Sequence, residues 1–404
     1  MMRAVILLAS VCIQMCIGGL YAWSSYIHPL RVSYGLSTAQ TQLIFGGLIA
    51  VFTVSMIYAG LLLEQRGPKL VAGIGGVLFG SGYVMASLSG GSFLWMCLGI
   101  SVVAGIGTGF CYVCALAMCM GWFPERKGVA TGVGVAGFGG GAVLLSRLVD
   151  LLFEQNMDVL VVLRWVGVAY GAIILGAAFL LKSAPFGGRP PSDSPLIRRD
   201  LMQDRFFWAL VVGMFCGTSA GLLVIGNLSP IALAIGLPPA VATTAVGAFA
   251  IGNAGGRIVW GWIADKSGPG VITLSLAVLA ATIVGLLPMP TRSGNFPALA
   301  MAVGFGFGGC FVVYATQTAS RYGVDRVASI YPLVFLAYGV GGIVGPWVGG
   351  CLYDMTESYT PAVVAGVGIV LLGLLASAWL IRTSGRHDSA AVAPSGHKPC
   401  QDIG

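Results

Sequence analysis

The segment "GNAGGRIVWG", Gly252 to Gly261, sets an arginine and an asparagine into an otherwise apolar stretch. Arg257 carries a charge it cannot shed, and its planar fork of donors matches a carboxylate. It lies eight residues before Asp265. At 1.5 Å per helical residue that is about 12 Å inside the polar boundary, near the middle of a hydrocarbon core about 30 Å thick. An arginine there costs about 2.5–3.5 kcal/mol even on the mildest insertion scale. The guanidinium must therefore meet a polar cavity, a counter-charge or an anionic ligand.

The counter-charge can be sought among only fourteen acids. Glu64, Glu125, Asp265 and Asp325 fall in loops on one side, and Asp193, Asp200, Asp204, Asp388 and Asp402 in a linker or the tail. Asp150, Glu154, Asp158, Asp354 and Glu357 fall at helix ends on the other side. None shares the depth of Arg257. Backbone carbonyls and Asn253 could hold the arginine for packing alone, or a bound carboxylate could complete it; the acid inventory favours the carboxylate. Asn253, one turn outward on the same face, could orient either the guanidinium or the ligand.

These residues need a membrane scaffold, and the composition supplies one. The chain has 404 residues, 57% hydrophobic and 9% charged, against about half and a quarter in soluble domains. Runs long enough to span begin around Ala4, Thr41, Leu70, Phe93, Lys127, Val159, Phe207, Ala240, Val271, Phe296, Ser329 and Ala362. They lack the alternation of barrel strands, so the fold class is all-α, an integral membrane protein of twelve transmembrane helices. The first run continues to Tyr26 and reads as a span rather than a signal peptide.

Basic residues gather in alternate loops, at Arg66, Lys69, Arg126, Lys127, Lys182, Arg189, Arg198, Arg199, Arg205, Lys266, Arg321 and Arg326, and again in the tail. The opposite side keeps chiefly Arg31 and Arg292. The positive-inside rule then places both termini in the cytoplasm, in a bacterial-type inner (plasma) membrane. The +7 net charge reports topology and implies no nucleic-acid partner. Ten cysteines are scattered without metal-ligand spacing, and the histidines, His28, His387 and His397, sit at a helix end or in the tail. No metal and no cofactor is expected.

A polar segment, "SAPFGGRPPSDSPLIRRDLMQDR", separates two six-helix halves. The expected organisation is a bundle at 1–183, a cytoplasmic linker at 184–205, a second bundle at 206–383 and a disordered tail at 384–404. Sliding one half onto the other by about 200 residues aligns the two. Pro29 meets Pro230, Gly35-Leu36 meets Gly236-Leu237, and Gly60, Glu64, Gly67 and Pro68 meet Gly261, Asp265, Gly268 and Pro269. Gly105, Gly107 and Phe110 fall on Gly306, Gly308 and Phe311. Parallel repeats of this kind place a substrate site between the halves near the midplane.

"GLLLEQRGPK" from Gly60 and "GWIADKSGPG" from Gly261 resemble the loop motif of the major facilitator superfamily between helices two and three. In that family the acid interacts with a helix terminus and nearby basic groups to favour the outward-facing state. The resemblance gives this switch role to Gly60, Glu64 and Arg66, and to Gly261, Asp265 and Lys266. "GGLYAWSSYIHPL" from Gly18, "GWFPERKGVATG" from Gly121 and "GNAGGRIVWGWIADK" from Gly252 look like the oxalate/formate antiporter family, whose members include pyruvate carriers. It implies a major facilitator fold of two pseudo-symmetric halves and a carboxylate-binding arginine at Arg257.

Aromatic residues recur on the helices that line the pathway in this fold. Tyr21, Tyr112, Phe307, Phe311 and Tyr314 are candidates, with Phe138 and Tyr338 on helices five and eleven. By resemblance Tyr21, Tyr112, Phe138, Phe307 and Phe311 hold substrate-cavity positions. Tyrosine hydroxyls would add donors, and phenyl rings would close around a short alkyl group. In oxalate exchangers a lysine on helix eleven supplies a second cation; the matching residue here is Tyr338. A dicarboxylate would keep one charge desolvated and unpaired, costing several kcal/mol.

The resulting expectation is a monomeric secondary transporter of a small monocarboxylate such as lactate, pyruvate or formate, by proton symport or anion exchange. Oxalate/formate-type exchange is the alternative within transport, and a carboxylate sensor the alternative outside it. No nucleophile, paired carboxylates or metal cluster at membrane depth suggests an enzyme. His28, and Asp150 with Arg147 as its ion-pair partner, are candidates for proton handling. "GVGVAG" at Gly132 matches a dinucleotide pattern but lies within a membrane helix. Gly105/Gly109 and Gly137/Gly141 instead form small-residue ridges expected to let helices slide as the halves rock.

Overall fold

The computed structural model describes residues 2–183, 198–287 and 295–391. Among them, twelve long helical units occupy the twelve expected runs and no strand is present. The first half comprises α1 (Met2–Tyr34), α2 (Thr38–Arg66), α3 (Pro68–Ser87), α4 (Phe93–Trp122), α5 (Lys127–Glu154) and α6 (Val159–Leu180). The second comprises α7 (Arg205–Ala234), α8 (Pro239–Lys266), α9 (Gly270–Val284), α10 (Phe296–Tyr322), α11 (Val327–Thr356) and α12 (Thr360–Ala391). Ten of the twelve are long and apolar enough to cross a membrane. The others are α9, at 15 residues, and α8, whose threonines, glycines, Asn253 and Arg257 dilute its hydropathy.

The repeat is visible in backbone detail. Pro29 and Pro230 both lie inside helices, and Gly35 and Gly236 both take the left-handed conformation just past a helix end, with φ of +68° and +78°. A short helix, Arg198–Gln203, precedes α7, and Asp204 caps α7 by accepting from Phe206 N at 2.8 Å. Tyr322 donates to the same carboxylate at 2.7 Å, with Arg321 3.7 Å away, which ties the linker end to α10. The linker at 184–197, Arg292, and the tail at 392–404 with His397 lie outside the described residues. The last helix runs on to Ala391, past the start of the expected tail.

The two halves meet along α2 with α11 and α5 with α8, at points where glycine removes the side chain. On the face that carries the termini, a Cβ on Gly60 would overlap the Ala328 carbonyl, and one on Gly261 the Gly128 carbonyl. Fourteen residues earlier on the same helices, Gly46 and Gly247 are exposed, and a Cβ there would meet nothing within 4 Å. Between these levels Gly339 faces Thr53, and Gly139 faces Ala254. The halves are thus pressed together on the terminal face and apart on the opposite one.

The glycine ridges do something other than expected. Gly105 and Gly109 pack α4 on Leu48 and Phe52 of α2, and Gly137 and Gly141 pack α5 on Val11 and Met15 of α1. Both contacts lie within the first half and fix it internally. The close approach between halves uses Gly128 and Gly132 against Gly261 and Arg257.

Candidate functional site

A closed cavity lies between the halves, too narrow throughout to hold a water molecule. Tyr21, Phe52, Tyr112 and Phe138 line it from the first half, and Arg257, Phe311, Phe335 and Tyr338 from the second. Local structure aims each of them. Gly18 rests on the α5 backbone at Phe138, and the chain from Gly19 to Ala22 tightens into a 3₁₀ turn that carries Tyr21 inward. The Tyr21 and Phe138 rings meet edge to face at 5.4 Å. Gly109, seated against Phe52 and Ser55, lets α4 approach α2 until the Tyr112 and Phe52 rings are 5.3 Å apart. Gly256 and Gly308 do the same for α8 and α10, pressed onto Phe305 and onto the Asn253 and Arg257 backbone.

Arg257 is 1% exposed. Its Nε donates to Asn253 Oδ1 at 2.8 Å, and its Nη1 donates to the Val135 carbonyl of α5, also at 2.8 Å. The second bond crosses from one half to the other. The guanidinium carbon stands 4.3 Å from the Phe311 ring centre and 5.9 Å from that of Phe138. No carboxylate pairs with it among the described residues. Of the five donors on an arginine, three keep no acceptor among the described residues. Two cation–π contacts at about 0.5–2 kcal/mol each do not offset the several kcal/mol of burying an unpaired charge.

Tyr112 lies within the field of Arg257 with its buried hydroxyl beside that of Tyr331, and it makes no hydrogen bond of ordinary geometry among the described residues. The Tyr21 and Tyr338 hydroxyls bond to each other across the halves. Phe335 fills the space between Tyr112 and Tyr338, its ring 5.1 and 5.0 Å from theirs. One cation, the Tyr112 hydroxyl and a ring-lined wall can hold a single carboxylate with a short apolar group. Admitting one requires the Tyr21–Tyr338 pair to part, because the space is closed as it stands.

Two expected residues lie elsewhere. Phe307 sits behind Phe311, 5.2 Å away edge to face, between Gly221 of α7 and Phe249 of α8. Tyr314 packs its hydroxyl end against Gly213 and Ser377 on α7 and α12, one flank of α10 away from the cavity. Phe52 and Phe335 are the lining residues that sequence reasoning missed. The repeat register carried a signal for Phe52, which it lays on Asn253, and Phe335 precedes Tyr338 by one turn.

The switch residues sit on the terminal face. The Asp265 carboxylate accepts from the backbone N–H groups of Gly128 and Val129 at 2.6 and 2.9 Å, binding the start of α5, where a helix presents free amides and positive dipole. Glu64 approaches the Ser329 side chain and the charge of Arg326 at the start of α11. Lys266 instead lies over the Trp262 ring at 3.9 Å, while Lys127 supplies the cation near Asp265; Arg66 is exposed. Of the residues considered for proton handling, His28 is exposed, and Arg147 and Asp150, both exposed on the helix surface, form no ion pair among the described residues. No group of three metal-ligating side chains occurs among the described residues.

Two pseudo-symmetric helical halves closing on a buried, cation-bearing cavity define a membrane transport protein. Residues 6–346 match the family model described as Major Facilitator Superfamily, and the chain belongs to that family. It is an integral membrane transporter rather than an enzyme. Similar proteins include the oxalate:formate antiporter of Oxalobacter formigenes, 24% identical over 86% of this chain and 84% of that one. Another is monocarboxylate transporter 11 of Homo sapiens, 28% identical over 85% of this chain and 75% of that one. Among solved structures, the E. coli transporter FucP in the outward conformation superposes with a TM-score of 0.71 at 15% identity, covering 92% of this chain and 98% of FucP.

Proposed function

We propose that this transporter carries a small monocarboxylate anion, of the lactate, pyruvate or formate kind, by alternating access, with its termini in the cytoplasm of a bacterial-type cell. The observation that carries this reading is Arg257, a buried cation with three unclaimed donors and no acid beside it among the described residues. Its missing partner is the cargo. Tyr112 would add a donor to the second carboxylate oxygen, and Phe311 and Phe335 would enclose the alkyl end. Similarity to a protein named monocarboxylate transporter supports the substrate class.

Oxalate:formate exchange is the second reading, supported by similarity to the antiporter of that name. The single cation in the cavity weighs against a dicarboxylate, since Tyr338 adds none. Coupling to protons or to a counter-anion both fit a monomeric carrier of this kind.

Purified protein in liposomes is expected to accumulate labelled lactate or pyruvate against its gradient when a proton gradient or internal carboxylate is imposed. Binding without flux would instead identify a sensor. A paired substitution locates the site more finely. Tyr112→Phe removes a donor worth about 1 kcal/mol and is expected to raise the lactate KM about fivefold. Tyr314→Phe removes a buried hydroxyl near Ser275 of α9, away from the cavity, and should leave KM unchanged. Equal effects in the two variants would dissociate Tyr112 from the cargo.

A further inference from the structure

Seven residues toward the terminal face from each of three cavity aromatics stands a polar or small side chain: Gln14 from Tyr21, Cys119 from Tyr112, and Thr131 from Phe138. Seven residues is two helical turns, so on α4 and α5 each keeps nearly the same face about 10 Å further along, while on α1 the 3₁₀ turn at Gly19–Ala22 lies between. Ser10 lies one more turn along α1, against Cys119. The three helices converge here: Gly134 of α5 faces Cys119 Sγ, and Gly137 and Gly141 seat on Val11 and Met15 of α1.

All four side chains are buried, Gln14 and Cys119 at 1% exposure and Ser10 and Thr131 at 0%. Among the described residues both polar atoms of the Gln14 carboxamide and Thr131 Oγ1 have no hydrogen-bond partner, and Ser10 Oγ meets only the Cys119 thiol. Each such atom costs about 1–3 kcal/mol, which an aliphatic residue would avoid. In the second half at the same depth, Thr318 donates to the Tyr314 carbonyl and Tyr331 to that of Phe311. Single unpaired hydroxyls occur in the second half too, at Ser219, Tyr314 and Thr316, but among the described residues only Gln14 has a buried carboxamide with both polar atoms unpaired, and it lies beneath the cavity.

We propose that Gln14, Ser10 and Thr131 form a second, weaker carboxylate subsite on the leg between Arg257 and the terminal face. It is shut in the present arrangement and lines the cleft once Gly60 and Gly261 separate from the opposite half. The Gln14 amide and the two hydroxyls then receive the carboxylate as it leaves the guanidinium. The subsite rests on the carboxylate reading above, whereas its exposure during the cycle does not.

Exposure is tested by peptide-resolved alkylation of Cys119 with a small maleimide in the full chain. A tryptophan wedge at Gly60 holds the terminal face open, and one at Gly46 holds it closed. Cys111 and Cys114 are internal references, since they lie on the same helix with their thiols directed at the Ala72 and Pro68 carbonyls of α3. Cys119 is expected to react roughly tenfold faster in Gly60→Trp than in Gly46→Trp, with the references unchanged; tenfold corresponds to about 1.4 kcal/mol. Equal Cys119 rates in the two wedges overturn the proposal. Should all three thiols accelerate together, the wedge has loosened the bundle and a functional pair decides. Gln14→Leu and Thr131→Val are expected to cut lactate counterflow about fivefold with lactate Kd unchanged, and unaltered counterflow overturns the subsite. Failure of the native chain to bind lactate would refute the cargo assignment while leaving the alkylation result standing.

Discussion

Arg257→Met is expected to abolish lactate uptake while raising the melting temperature. The side chain is buried, makes two hydrogen bonds and faces no acid, so its charge is a burden on the fold. Replacing buried charges by apolar groups of similar volume is often neutral or stabilising by about 1–4 kcal/mol. The opposite signs of the two effects separate the alternatives: an arginine kept for packing would lose stability on substitution, and one kept for a ligand would lose only transport. Arg257→Lys retains the charge but cannot reach Asn253, Val135 and a carboxylate together. Charge-assisted bonds are worth about 1.5–3 kcal/mol, so affinity should fall about 10- to 100-fold. Lactate uptake in liposomes and thermal melting, measured on the same preparations, read both effects; full uptake in Arg257→Lys would disprove the clamp.

Tyr338→Lys is the second large effect. Tyr338 stands 5.3 Å from the Phe311 ring, bonds Tyr21 across the halves and lies within the field of Arg257. A lysine there places a second cation in the cavity and removes the hydroxyl pair. With one carboxylate the variant carries an excess buried charge; with two it is neutral. Competition of labelled lactate uptake by oxalate should therefore shift toward oxalate by at least about tenfold, the equivalent of 1.4 kcal/mol from one added charge-assisted bond. An unchanged rank order would remove the charge count as a ground for preferring monocarboxylates.

The fold was legible because a bilayer allows few solutions: apolar runs of spanning length must be helices, and one offset aligned both halves. Arg257 was legible for the related reason that a charge at its depth must be accounted for. Aromatic side chains carry no such demand, and there sequence reasoning was weaker. Phe311 and Tyr314 sit three residues apart, yet Phe311 faces the cavity and Tyr314 faces α7 and α12, because what each ring meets depends on which helices flank α10. The motif around Asp265 pointed to a helix terminus, but the terminus it binds belongs to α5, well over a hundred residues earlier in the chain. Pairings at that separation are set by the packing of whole helices, which no local pattern records.

The spacing of the small-residue contacts between the halves has a mechanical consequence. Thr53 and Ala254, which meet Gly339 and Gly139 at mid-depth, each stand seven residues from an open glycine, Gly46 or Gly247, and seven from a closed one, Gly60 or Gly261. Seven residues is about 10 Å of helix, so each of α2 and α8 is a beam with equal arms about a central fulcrum. A tilt that frees one end by a given distance closes the other by the same distance. The two gates are then geared together, and lengthening one arm would let both faces stand ajar at once, turning a carrier into a leak.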